Sequence, residues 1–117
     1  MTITQPTLLV DEHKCKANIA FMAQRAKTLG VNFRPHFKTH QSRKVGRWFK
    51  EFGVTKITVS SLSMAQYFAT EWDDITVAFP INILEIATIN ELAAKISLNV
   101  LIESTESLNY LAQHLEY

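Results

Sequence analysis

The sequence predicts an α/β fold in which parallel strands alternate with crossover helices, and three observations carry that expectation. Residue patterning switches repeatedly between a period of two and a period near 3.6, as successive βα units require. The strand-like runs, centred near residues 34, 58, 77 and 100, recur about every 20–25 residues, the length of one such unit. No GxGxxG or GxxxxGK[ST] pattern follows any of them, so the nucleotide-binding signatures of a doubly wound sheet are missing and a barrel is favoured.

Each element has its own signal. Thr7 to Val10 is a short apolar run that reads as an opening strand, with Asp11 behind it at a helix N-cap. Cys15, Ile19, Met22, Ala26 and Leu29 then recur in steps of four and three, which predicts one buried helix face ended by Gly30. Val31 to Lys38 reads as the first interior strand. A helix from about Ser42 turns Val45, Trp48, Phe49 and Phe52 inward and stops at Gly53. Lys56 to Ser60 is a strand, Ser63 to Glu71 a helix, and Ile75 to Phe79 a strand. Asn82 with Glu85 resembles a capping box opening a helix to about Ile96. Leu98 to Ile102 is the last strand, and Ser104 caps a helix whose Leu108, Leu111, Ala112 and Leu115 share a face.

Composition narrows the function classes. The 117 residues suffice for one domain, and twelve Lys and Arg against eleven Asp and Glu leave a net charge of +1. That balance argues against general attraction to nucleic acid or to an anionic membrane. The single cysteine, Cys15, forms no internal disulfide, and with His13 it offers too few ligands for a metal ion. No leader-like N-terminus and no long apolar run is present, so a soluble cytoplasmic protein is expected.

Chemistry concentrates in Arg34-Pro35-His36-Phe37-Lys38-Thr39-His40. Along a strand, residues two apart share a face, so Arg34, His36 and Lys38 are expected to point one way and Phe33 and Phe37 the other. An interior strand would turn the basic face into the barrel, where cationic groups need a counter-charge, and an anionic ligand is the expected one. Crowding an amine beside cations in a dry pocket favours its neutral, nucleophilic form. Lys38 also ends its strand, where barrels carry their reactive groups. The contrary reading is a solvated face on an edge strand, which Pro35 favours because it lacks an N–H. A metal site from His36 and His40 has poor geometry, since spacing of four across a strand end does not bring two ligands together.

The stretch Arg34 to His40 resembles the Arg-Pro-His-x-Lys-Thr-His motif of the D-threonine aldolase and D-serine dehydratase group, relatives of alanine racemase among the fold-type III pyridoxal-phosphate (PLP) enzymes. Pro6 to Asp11 is similar to the opening strand of that group, Asn18-Ile19 to an Asn-Ile pair on its first helix, and Asp73 to Pro80 to a strand ending in aromatic-Pro. The resemblance implies that the chain is the N-terminal half of a (β/α)8 TIM-type barrel domain, residues 1–117, without the late barrel strands or a C-terminal β-domain. It implies PLP as cofactor, with Lys38 forming the internal aldimine and Arg34, His36 and His40 around the cofactor. It further implies a lyase acting on D-β-hydroxy amino acids, by retro-aldol cleavage or dehydration. The isolated chain is expected to be inactive, a divalent metal to be held by residues outside it, and a homodimer to be the assembly. An amino-acid racemase of the same fold and a non-catalytic PLP-binding fragment are the alternatives. Leu62-Ser63-Met64-Ala65 departs from the group's Leu-Gly-Glu-Ala, which puts any contact made by that Gly or Glu in doubt. Ser60 and Ser61 are expected to cap or to be hydrated rather than to touch a cofactor.

Overall fold

A three-stranded parallel sheet organises the structure, a computed structural model that describes residues 2–117. Strand β1 (Ile57–Val59) pairs with β2 (Asp74–Pro80), and β2 with β3 (Ser97–Leu101). The order is that of the sequence, and every connection crosses over through a helix: α3 (Leu62–Phe68) between the first two strands and α4 (Ile86–Ala93) between the second two. Helices α1 (Glu12–Thr28) and α2 (Arg43–Glu51) precede the sheet, and α5 (Thr105–His114) follows it.

The register separates two faces. Ile57 pairs with Ile75 and Ile75 with Leu98, while Thr58 pairs with Thr76 and Thr76 with Asn99. Because side chains alternate along a strand, the apolar row lies on one face and the Thr, Thr, Asn row on the other. Ile57, Val59, Ile75 and Val77 are buried against Leu62, Ala65 and Phe68 of α3 and Ile89 and Leu92 of α4. Each such side chain contributes on the order of 1.5–3 kcal/mol when fully removed from water. A smaller cluster of Ile19, Val45 and Trp48 joins α1 to α2.

Local chemistry sets the helix ends. Asp11, Ser42, Ser61 and Ser104 each accept a hydrogen bond from a backbone N–H three residues on. Gly30 and Gly53 take φ of 66° and 77° past the ends of α1 and α2, a conformation that side chains resist.

Several expectations are corrected. Thr7 to Val10 forms no strand, because a strand requires a partner and none stands beside it among the described residues; Leu8 and Leu9 are 72% and 63% exposed. On α1 only Ile19 is buried, and Met22 and Leu29 are exposed, since α2 covers only part of the expected face. The helix after β1 runs Leu62–Phe68 where Ser63 to Glu71 was expected, and Ser61 caps it. Asn82 opens a 3-10 turn (Ile83–Glu85) rather than a box: its Oδ1 accepts from the Leu84 N–H, and its own amide donates to Glu85. The helix that follows stops at Ala93.

Candidate functional site

The segment before α2 was expected to be a strand from Val31 to Lys38, and its pairing is far shorter. A single parallel bridge joins His36 to Thr58, with the Thr58 N–H donating to the Pro35 carbonyl. Pro35 has no N–H to extend the ladder. At Phe37 the chain leaves the sheet and coils into a 3-10 turn, Phe37–Thr39. Lys38 therefore stands on a turn beside the sheet and not at the last position of a strand.

Phe37 anchors that turn. It is fully buried, with ring centroids of Phe49, Phe68 and Trp72 at 5.1, 5.0 and 5.2 Å. Burial of Phe37 on the helix side agrees with the expected division of aromatic and basic faces. Lys38, the next residue, is exposed, and no carboxylate among the described residues lies within salt-bridge distance of its amine.

The two histidines are both acceptors at Nδ1. His36 caps the turn by receiving the Lys38 N–H at 3.2 Å, and His40 receives the Ser42 N–H at 3.1 Å. Burial, then the nearby Lys38 charge, pushes His36 below its ordinary value, and burial does the same to His40. Neutral imidazoles suit these bonds, because a protonated Nδ1 cannot accept. His40 does not stand beside His36. Its ring sits among Phe37 at 4.5 Å, Phe49 at 5.9 Å and Phe68 at 6.4 Å, and its buried Nε2 has no hydrogen-bond partner among the described residues.

Arg34 also departs from expectation. Its cationic head was expected to await an anionic ligand, and a carboxylate of the chain already answers it. Its guanidinium lies 2.8 Å from Asp74 and donates to the Ile57 carbonyl at 3.1 Å. Lys56 at 3.5 Å and the Asn99 amide at 3.2 Å complete the surroundings of that carboxylate. Burial works against ionisation of Asp74, but the Arg34 bond and charge, helped by Lys56, hold its carboxyl below the usual range. This network sits where β1 and β2 begin, at the end of the sheet opposite to the loops after the strands. Arg34 and Lys38 thus serve opposite ends of one extended segment.

Two residues escaped the sequence reading. Asp74 is the partner of Arg34, forty positions away, and only the β1–β2 register brings it near. Gln41 holds a positive φ of 45°, and its side-chain amide donates to the Lys38 carbonyl at 3.3 Å. With Ser61, Ser63, Met64 and Tyr67 it lines a shallow groove of about 320 Å³. Among the described residues no three His, Cys, Asp or Glu side chains are grouped to hold a metal ion, and no helix is long and apolar enough to cross a membrane.

No family model matches the chain. In sequence it is 32% identical over 120 residues to D-serine dehydratase of Dictyostelium discoideum, an alignment covering 96% of this chain and 30% of that protein. It is 39% identical over 79 residues to D-threo-3-hydroxyaspartate dehydratase of Delftia sp. strain HT23, covering 67% of this chain and 21% of that one. The solved structure of the Delftia enzyme superposes with a TM-score of 0.87 at 31% identity, over 96% of this chain and 30% of its own. An alanine racemase-like protein from Idiomarina loihiensis gives 0.85 at 27% identity, over 95% and 30%. D-threonine aldolase from Filomicrobium marinum, at 19% identity, shares the fold with a TM-score of 0.86, over 93% and 30%. The chain spans less than a third of the length of each. It is similar to these dehydratases and to their alanine racemase-like neighbours over its own length, and it has the fold of the N-terminal half of their TIM-type barrel.

Proposed function

We propose that this chain supplies the lysine-bearing part of a PLP-dependent lyase acting on D-configured β-hydroxy amino acids, with Lys38 as the residue that holds the cofactor. One observation carries the reading: the Lys38 amine is exposed, has no carboxylate partner among the described residues and is mounted on a turn that Phe37 anchors in the core. The residues present fit the group. A primary amine that no carboxylate ties down is sterically open to an aldehyde, and condensation of the two forms a Schiff base. When bound, PLP supplies that aldehyde and an electron sink for charge developing at the substrate Cα.

The remaining residues position and insulate. His36, neutral and bonded to the Lys38 N–H, places no full charge beside the amine while fixing its backbone. Once free, the amine is suited to act as a base at one of two protons: removal of the Cα proton lets the β-hydroxyl leave in a dehydration, and removal of the β-hydroxyl proton lets the Cα–Cβ bond break in a retro-aldol cleavage. Dehydration is the favoured outcome, because both relatives similar in sequence are named as dehydratases. One solved structure of the Delftia enzyme is of a metal-free variant, so a metal in the whole protein is part of the proposal, held by residues beyond this chain.

Adding PLP to the purified chain is expected to produce visible absorbance, and borohydride followed by peptide mass spectrometry should locate the adduct on Lys38. An adduct confined to other lysines of a folded chain would remove Lys38 from the role.

A further inference from the structure

We infer that Gln41 is a positioning residue for Lys38, held in a strained backbone conformation so that its amide can clamp the lysine from the side opposite His36. The inference rests on the proposed role of Lys38.

In most cofactor-bearing strands the backbone of the reactive residue is fixed by ladder hydrogen bonds. Here the ladder ends at the His36 bridge, and two side chains take over. The Lys38 N–H is held by His36 Nδ1 at 3.2 Å, and the Lys38 carbonyl by Gln41 Nε2 at 3.3 Å. Both polar groups of one peptide-bearing residue are therefore tied to side chains within three positions of it.

Gln41 occupies an unusual place to do this. Its φ of 45° makes it the one non-glycine with positive φ among the described residues, whereas Gly30 and Gly53 fill the comparable turns after α1 and α2. Glycine would make the turn at Gln41 without steric cost. It would not, however, bring a donor to the Lys38 carbonyl. The left-handed step lets the chain reverse out of the 3-10 turn, with the Gln41 N–H donating to the Phe37 carbonyl, and enter α2 at the Ser42 cap. A strained residue that also bonds the reactive one is the pattern expected where geometry serves function. The groove it lines with Ser61, Ser63 and Tyr67 leaves the Gln41 side chain room to act without displacing the core.

The test uses the full chain with two substitutions. Gln41→Met keeps length and removes the donor, and Gln41→Gly removes the donor while relieving the backbone. Both are expected to slow borohydride trapping of PLP at Lys38 by about five- to tenfold, the loss of one modest hydrogen bond. Exchange of the Lys38 amide proton should accelerate by a similar factor, and the melting temperature of Gln41→Gly should stay at or above that of the parent. A purely structural residue would shift melting and leave trapping at Lys38 unchanged. Parent-like trapping and parent-like exchange in both variants would overturn the inference. If the parent itself forms no adduct at Lys38, the cofactor reading fails, and the exchange rates alone then decide whether the clamp exists.

Discussion

The two faces of the sheet differ in what they have finished. On the helix side, Phe37, Phe49, Phe68 and Trp72 interlock with the strand residues Ile57, Val59, Ile75 and Val77, and the layer is closed. On the opposite face, Thr58, Thr76 and Asn99 form a polar row that stays open, with the Arg34–Asp74 pair where the strands begin, and the turn that carries Lys38 follows the His36–Thr58 bridge. One peptide bond separates Phe37, the most enclosed residue of the first segment, from Lys38, which is exposed. Under the proposed function, stability and chemistry fall to adjacent residues with opposite surroundings, so one can be changed without the other.

Breaking the closed face should have the largest effect. Phe37→Ala removes a fully buried ring from contact with three aromatic neighbours, and an unfolding free energy lowered by about 3–5 kcal/mol is expected in urea denaturation. Retention of parent stability would mean that the aromatic layer does not hold the turn. Next in size is Gly46→Ala on α2. A Cβ there would lie 3.0 Å from Cε2 of the Phe37 ring, with the Trp72 indole nitrogen at 3.6 Å. Overpacking of about 1–3 kcal/mol should outweigh the gain in helix propensity, and melting curves will show the sign.

The polar end of the open face responds to pH. The carboxyl of Asp74 is held below its usual range, so its contribution is present above about pH 4 and is lost as pH falls through the folded value. Asp74→Asn is expected to cost about 1–2 kcal/mol at neutral pH and to flatten the acid limb of the stability curve. An acid limb unchanged from the parent would show that the Arg34 pair does not contribute. This pair is partly exposed, with side-chain exposures of 26% and 27%, so high salt should weaken it.

Much of this division was legible in the residues alone. The order of helices and strands followed from the switch between periods of two and near 3.6, and the caps at Asp11, Ser42 and Ser104 stood where an oxygen-bearing side chain precedes an apolar run. The side taken by Phe37 followed from alternation. What escaped the sequence depended on distant or absent partners. Thr7 to Val10 has strand propensity but nothing to pair with, and Arg34 meets Asp74 only through the register of β1 and β2. The resemblance implied His40 near the cofactor, and the packing of its ring was not legible from the motif. The 3-10 turn brings that ring into the aromatic layer. Alternation also failed at Lys38 itself, because His36 caps a turn where a continuing strand would have left its imidazole unengaged.

The smallest expected change in stability accompanies the largest expected change in chemistry, and that contrast is the most direct test. Lys38→Gln should shift unfolding by no more than about 0.5 kcal/mol, as for an exposed side chain, and abolish the borohydride-trapped PLP adduct. If the substituted chain unfolds as the parent does and still carries the adduct at the parent's level, Lys38 does not hold the cofactor.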